Sequence, residues 1–238
     1  MSEYLLIAIT LGTSLVTAIV GFGGGMLLIA FMPGLLPPAA IVPIHALVQL
    51  CSNSSRAIFS WRSIHWTFCG AFIVGSLLGG LGAAQLINQL DLHYLPLILG
   101  LYILINVWGP ELTFKKPPRG EFFTIGLIQT GLSTIIGATG PLTQSTLLRK
   151  DLGRDSIVST SALLMTITHL VKIPIFGWLG FSFVNYWQLI IGMCLGVIIG
   201  TYIGTKLRHK ISEVIFKKAM TWLLTVLALR MIYTTLFV

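Results

Sequence analysis

The chain has 238 residues, of which 55% are hydrophobic and only 9% are charged, and its mean hydropathy is +0.91. Because soluble domains carry roughly 25% charged residues, this composition excludes a soluble globular domain. The long apolar segments instead predict an all-α polytopic membrane protein. The net charge of +8 reflects Lys and Arg in the loops of such a protein, so nucleic acid is not a predicted partner.

Ten apolar segments follow one another along the chain in two sets of five. The first set lies at about 4–20, 25–36, 39–60, 66–88 and 93–110, and the second at about 122–136, 140–149, 156–178, 184–206 and 213–237. A polar stretch rich in Lys and Arg separates the two sets. The sequence therefore predicts a first transmembrane repeat at 1–112, a basic cytoplasmic linker at 113–121 and a second repeat at 122–238.

Each set contains a glycine-rich motif after its first segment. Gly21–Gly25 has four glycines in five residues, and Gly137–Ala138–Thr139–Gly140–Pro141 occupies the matching place in the second set. Glycine lets the backbone leave the helical conformation, and a bilayer tolerates this only where the freed backbone faces protein or a wet cavity. We therefore expect each repeat to start with a Gly-broken, re-entrant helical hairpin, followed by about three transmembrane helices.

The spacing of the motifs indicates an internal duplication. Gly137 follows Gly21 by 116 positions, and Lys172 follows Arg56 by the same 116 positions. If each hairpin returns to its starting side, 12 of the 15 Lys and Arg residues fall on one face of the membrane. The positive-inside rule then predicts two inverted repeats, with the basic loops in the cytoplasm and both termini outside.

A second glycine pattern predicts helix packing. Small residues spaced by four let two membrane helices approach closely. The glycines in this pattern are Gly75, Gly79, Gly196, Gly200 and Gly204.

Three basic residues, Arg56, Lys172 and Arg230, remain within the apolar segments. Arg230 lies near the predicted outer end of the last helix and can extend its side chain to the headgroups. Arg56 and Lys172 are deeper, and no Asp or Glu lies in the interior of any apolar segment to neutralise them. A cation at the bilayer centre costs about 2.5–3.5 kcal/mol on insertion scales, so we expect a mobile anion to supply the missing charge. The alternative is that both residues lie near helix ends and extend their side chains to the headgroups. The polar run at 49–55, next to Arg56, favours the anion site.

The hairpins are expected to add groups that bind anions. A short helix that begins after each glycine motif directs free N–H groups and the positive end of its dipole into the interior. His45 and His169 lie in the third segments. Each could carry a proton or donate to an anion, or be satisfied by a backbone carbonyl instead. The candidate substrate-binding residues are Gly23, Gly24, Gly25, Gln49, Asn53, Arg56, Thr139, Gly140, Pro141, Gln144, His169 and Lys172.

The chain resembles the TauE/SafE family of sulfite and organosulfonate exporters. The residues that carry the resemblance are Gly21–Gly25, Pro33, the region from Gln49 to Arg56, and Arg62–Ser63–Ile64–His65–Trp66. The resemblance implies a bacterial or archaeal inner-membrane permease, built from two inverted halves, that moves sulfite, sulfonates or related sulfur-containing anions. The second glycine motif departs from the Gly-Gly-Gly form of the family, because it reads Gly137–Ala138–Thr139–Gly140–Pro141.

The predicted function is a secondary transporter that moves a small sulfur-containing anion across the inner membrane by alternating access. Its predicted partners are that anion and the lipid bilayer. A cation channel or carrier is the alternative, although such proteins use acidic groups at depth. An intramembrane enzyme is a further alternative, but Ser14 lacks the glycine that should follow a serine nucleophile. The three cysteines have no Cys-x-x-Cys spacing, so neither a disulfide framework nor a metal site is indicated, and no cofactor is predicted.

Overall fold

Every secondary-structure element of the computed structural model is helical, over the residues that it describes: 2–20, 23–87, 89–109, 120–207 and 213–237. Gly21, Phe22 and most of the expected linker at 113–121 lie outside these residues. Ten α-helices are present in this part of the chain: α1 (Ser2–Val20), α2 (Gly24–Phe31), α3 (Pro38–Phe59), α4 (Cys69–Ile87), α5 (Leu95–Trp108), α6 (Glu121–Ile136), α7 (Gly140–Leu148), α8 (Arg154–Trp178), α9 (Trp187–Leu207) and α10 (Glu213–Phe237).

The helices identify a multi-pass membrane protein, as the composition predicts. In the part of the chain that the structure describes, four helices are long and apolar enough to cross a membrane: Trp66–Ile87, Asp155–Trp178, Phe183–Gly204 and Lys218–Phe237. Three shorter apolar helices accompany them, at Glu3–Ile19, Leu92–Trp108 and Glu121–Ile136. Leucines and isoleucines on α4 and α9 point outward, where lipid can cover them; they are Leu77, Leu78, Leu81, Ile198 and Ile199.

The second apolar segment is less helical than the sequence predicts. The expected element was 25–36, but α2 ends at Phe31 and a turn follows it. Pro33 has no N–H to continue the helical ladder, and Gly34 has a φ of 83°, which is outside the helical region. Hydropathy alone could not place this boundary, because the turn is as apolar as the helix before it.

Both glycine motifs break the helix, as expected. Gly23 precedes α2 with a φ of 88°, and Gly137 follows α6 with a φ of 82°. A side chain at Gly24 would collide with Thr17 Oγ1 and with the backbone oxygen of Thr13. The start of α2 can therefore press against α1 only because Gly24 has no side chain.

Ion pairs join the start of α6 to the residues that follow α7. Glu121, the first residue of α6, accepts from Arg149 Nη2 at 2.8 Å and from Lys150 Nζ at 2.5 Å. Arg149 and Lys150 follow the last residue of α7. These contacts bring the residues after α7 next to the start of α6.

The largest helix contacts join the first five helices to the last five. Helix α1 packs on α9, α4 on α6, α3 on α8 and α5 on α10. Helices α3 and α8 lie in the interior, where the faces that they share include the buried residues His45, Gln49 and His169. A polar surface is thus enclosed at the centre of an otherwise apolar bundle.

Close glycine contacts hold two of these pairs together. Gly75 and Gly79 of α4 lie against the backbone oxygens of Phe123 and Leu127 on α6. In the α1–α9 pair, Gly200 and Gly204 lie in the same way against the backbone oxygens of Leu11 and Leu15. The glycines that the sequence assigned to helix packing therefore lie where one backbone touches the next.

We expect Gly79→Ala to destabilise the protein and Gly82→Ala, three residues away, to leave it unchanged or slightly more stable. The added methyl group at position 79 would collide with Leu127 O, whereas nothing lies within 4 Å of a methyl group at position 82. Overpacking costs about 1–3 kcal/mol, and each kcal/mol lowers Tm by roughly 2–4 °C in a chain of this size. Thermal unfolding in detergent measures both variants, and equal Tm values would contradict the α4–α6 contact.

The structure also brings together two cysteines that the sequence did not pair. Cys51 on α3 and Cys194 on α9 have their sulfur atoms 2.8 Å apart, and both are free thiols. They are 143 positions apart in the sequence, so no local spacing could have indicated the contact.

Candidate functional site

A small cavity lies between the two breaks in the helices, where α2, α3, α7 and α8 meet. Its volume is about 80 Å³. Gly23, Gly25 and Met26 line it from the first hairpin, and Ala138, Gly140, Pro141 and Gln144 line it from the second. The rest of its wall comes from Thr17 and from α3 and α8, through His45, Gln49, Asn53, Arg56, Ile157, Val158, Ser161, Ala162, Met165 and His169.

Nine of the twelve candidate residues line this cavity: Gly23, Gly25, Gln49, Asn53, Arg56, Gly140, Pro141, Gln144 and His169. The other three do not line it. Gly24 packs on α1, Thr139 is fully buried and donates to Gln129 O at 3.1 Å, and Lys172 is fully buried.

Arg56 gives the cavity a positively charged wall. Its Nη2 donates to Asn53 Oδ1 at 2.7 Å, and its Nε lies 3.4 Å from Ser52 O. A guanidinium has five N–H donors, so these two bonds leave donors for a ligand. No Asp or Glu is among the described residues that line the cavity. Glu121 lies outside the cavity wall, at the start of α6, where it is paired with Arg149 and Lys150.

Gln49 and Asn53 form a polar ladder next to Arg56, one helical turn apart on α3. Asn53 Nδ2 donates to the backbone oxygen of Gln49 at 2.8 Å. A methyl group on Gly25 would come within 3.0 Å of Gln49 Oε1. Glycine at position 25 therefore lets the Gln49 side chain approach the start of α2.

Lys172 lies behind the cavity and not in its wall. Its Nζ donates to Ser133 Oγ at 3.0 Å and to Gly137 O at 3.1 Å. Ser133 Oγ also donates to Gly137 O at 3.0 Å. These acceptors belong to the last turn of α6 and the residue after it, where the unpaired carbonyls carry the negative end of the helix dipole. The partner of Lys172 is thus the C-terminal end of a broken helix.

Two histidines, His45 of α3 and His169 of α8, meet in the wall of the cavity. His45 Nε2 lies 2.9 Å from Gly25 O. This nitrogen is therefore satisfied by a backbone carbonyl, which is one of the two possibilities that the sequence left open. The Nδ1 atoms of His45 and His169 are both buried without a hydrogen-bond partner. The two rings lie edge to face, with their centroids 6.0 Å apart.

Sequence reasoning missed two parts of the site. The first is the part of the α8 wall formed by Ile157, Ser161 and Met165, which are spaced four residues apart and lie on the same helical face as His169, a residue that the sequence did predict. The second part is Gln129, a buried residue of α6 whose Oε1 accepts from the backbone N of Thr143 at 2.9 Å and from Thr143 Oγ1. Gln129 thereby ties the first turn of α7 to α6.

Together, the apolar exterior, the paired helices and the enclosed polar cavity define a multi-pass membrane protein with a polar interior. A family model described as "Sulfite exporter TauE/SafE" matches residues 5–231. The chain therefore belongs to the TauE/SafE sulfite exporter family, which is a family of membrane transporters. No curated protein and no solved structure gives a match to the chain.

Proposed function

We propose that this protein is a secondary transporter that moves small sulfur-containing anions, such as sulfite or organosulfonates, across the bacterial or archaeal inner membrane by alternating access. The observation that carries the proposal is the guanidinium of Arg56 in a cavity whose wall contains no carboxylate. A positive group in the interior without an acidic partner favours a negatively charged ligand, because burial without compensation is costly.

The size of the cavity supports a small passenger. A water molecule needs roughly 10–15 Å³ of such space, so about 80 Å³ holds a few groups of that size. Sulfite has four heavy atoms and fits this volume. A longer sulfonate could place its sulfonate group next to Arg56 and extend its chain past the apolar side chains of Ile157 and Met165.

The first turn of α2 supplies further donors. The first intrahelical bond at this end runs from Leu27 N to Gly23 O. The N–H groups of Gly25 and Met26 precede that bond, and both residues line the cavity. Free N–H groups at a helix start favour anions, and the side chains of Gln144 and Ser161 can add an amide and a hydroxyl donor.

The contacts between helices support two inverted repeats with re-entrant hairpins. If α6 to α10 repeat α1 to α5, then α4 and α9 are equivalent, and so are α1 and α6. The α1–α9 and α4–α6 contacts are then the same contact related by a pseudo-two-fold axis. The ion pairs that join Glu121 to Arg149 and Lys150 support a hairpin that returns to its starting side.

A second cavity supports alternating access. It has a volume of about 400 Å³ and is lined by Pro38, Val42 and Pro43 of α3 and by Phe176 of α8, among others. The first cavity uses the other part of each helix, from His45 to Arg56 and from Ile157 to His169. The two cavities are therefore separated by less than one helical turn along α3, from Pro43 to His45, and by about two turns along α8, from His169 to Phe176. A small rocking of the two halves could open each cavity in turn. With the basic loops in the cytoplasm and the termini outside, the cavity that contains Arg56 faces the cytoplasm.

The proposal predicts that anions, and not cations, stabilise the purified protein against heat. A ligand present at 100 times its Kd stabilises by about 2.7 kcal/mol, which is roughly 5–10 °C in Tm for a chain of this length. Sulfite and methanesulfonate are the test anions, and chloride salts of sodium and potassium at matched ionic strength are the controls. Stabilisation by sodium or potassium alone would instead support a cation carrier.

A further inference from the structure

The two histidines in the wall of the cavity have buried nitrogen atoms without partners. His45 and His169 are each about 1% exposed, and the Nδ1 atom of each lacks a hydrogen bond. Such an arrangement is uncommon, because buried polar atoms in folded proteins are nearly always paired. Because these two nitrogen atoms belong to side chains that line the cavity, a proton or a ligand that enters it can supply the missing partner.

The hydrogen bond of His45 defines which of its nitrogens is free to accept a proton. A backbone oxygen can only accept, so His45 Nε2 must donate its hydrogen to Gly25 O at 2.9 Å. In the neutral ring the Nδ1 atom then carries a lone pair. That atom lies against the second hairpin, since a methyl group on Gly137 would be 3.7 Å from it. His45 thus connects the tips of the two hairpins.

The charged surroundings link proton binding to anion binding. Among the described residues, the charged groups that act on the rings are Lys172 on α8, which is close to both histidines, and Arg56 on α3, which is close to His169. The described residues of the cavity wall include no Asp or Glu from α2, α3, α7 or α8. Two positive groups oppose a third positive charge in the same small volume. An anion bound next to Arg56 offsets that repulsion, so the anion and a proton stabilise each other there.

We propose that His45 and His169 form a proton-binding site and that the protein carries a proton together with each anion. This inference rests on the proposed transport function. The proton enters from the aqueous end of the cavity and binds a ring nitrogen of the pair. It leaves on the other side when the anion dissociates. His45 belongs to the first five helices and His169 to the last five, so rocking of the two halves would change the distance between the rings.

The first test measures proton and anion fluxes together in proteoliposomes that contain a trapped pH-sensitive dye. Methanesulfonate is the probe because it is fully ionised near neutral pH and cannot itself carry a proton. Valinomycin with equal potassium on both sides holds the membrane potential at zero. We expect methanesulfonate entry to acidify the lumen, with about one proton for each anion.

The variants His45→Gln and His169→Gln should lower the ratio of protons to anions at least fivefold. Glutamine keeps an N–H donor near the position of Nε2 but takes up no proton. The matched control is His93→Gln, because His93 is exposed and outside the cavity, and its ratio should not change. An unchanged ratio in both cavity variants would overturn the proposal.

A second measurement does not depend on transport or on stable variants. Nitrogen NMR of the wild-type protein labelled at histidine reports whether a ring becomes doubly protonated when sulfite or methanesulfonate is added. We expect a signal of a doubly protonated ring that depends on the anion. Anion uptake without proton movement, with neutral rings throughout, would overturn this inference and leave the transport proposal standing. A protein that neither binds nor moves either anion would instead overturn the transport proposal.

Discussion

Replacing Arg56 with Gln is expected to lower the affinity for sulfite or methanesulfonate by roughly 10- to 150-fold, since a hydrogen bond to a charged group contributes about 1.5–3 kcal/mol and each 1.4 kcal/mol is tenfold. Arg56 is the basic residue in the cavity wall. Its own bonds go to Ser52 and Asn53 on the same helix, so removing it disconnects no pair of helices. The measurement is the anion-dependent shift in Tm, followed by initial uptake rates in proteoliposomes.

Two further variants separate a specific site from a general loss of positive charge. Arg62→Gln removes the same charge from an exposed residue that follows α3, and it should leave affinity and uptake near wild type. Arg56→Lys keeps the charge but loses the planar set of donors. Its affinity for both anions should therefore fall between that of Arg56→Gln and that of the wild-type protein. If Arg56→Gln binds and transports both anions like the wild-type protein, the cavity is not the anion site.

The positions of the helices could be read from the sequence because hydropathy and glycine report them directly. Each of the ten apolar segments contains one helix, and the two glycine motifs mark the two breaks. Hydropathy does not report a turn made of apolar residues. For this reason the sequence predicts an end for α2 that is later than Phe31. The segment after it, with Pro33 and Gly34, is apolar in composition but not helical.

Several residues of the cavity wall could be predicted because few residues in an apolar chain are suited to bind an anion. Arg56, Gln49 and Asn53 stand out in α3 and do line the cavity. The sequence could not distinguish the roles of Arg56 and Lys172. The offset of 116 places them at equivalent positions but does not show which residues surround each of them. In the structure, Arg56 lines the cavity, whereas Lys172 donates hydrogen bonds to the end of α6. That difference depends on tertiary contacts, as does the meeting of Cys51 with Cys194.

Lys172→Met is expected to destabilise the protein, in contrast to a variant that removes only a contact with the substrate. Methionine has a side chain of similar length and keeps most of the packing, but it cannot donate to Ser133 Oγ and Gly137 O. Gly137 O would keep the hydrogen bond from Ser133, but Ser133 Oγ would lose the donor Lys172. A buried acceptor left without its donor costs about 1–3 kcal/mol, which corresponds to a fall in Tm of roughly 2–12 °C. Thermal unfolding without any anion measures this loss.

The anion-dependent part of the same experiment separates the two roles of a buried lysine. If Lys172 acts by holding the end of α6, the Lys172→Met protein that remains folded should still gain stability from sulfite. The matched control, Lys218→Met, removes an exposed lysine of α10 and should change neither Tm nor the gain. A normal Tm combined with a lost gain would mean that Lys172 contacts the anion directly, as the sequence alone suggests. A lowered Tm with the gain retained would mean that the two basic residues at matching positions in the two halves have different roles. Arg56 would bind the anion, and Lys172 would stabilise the helix break next to it.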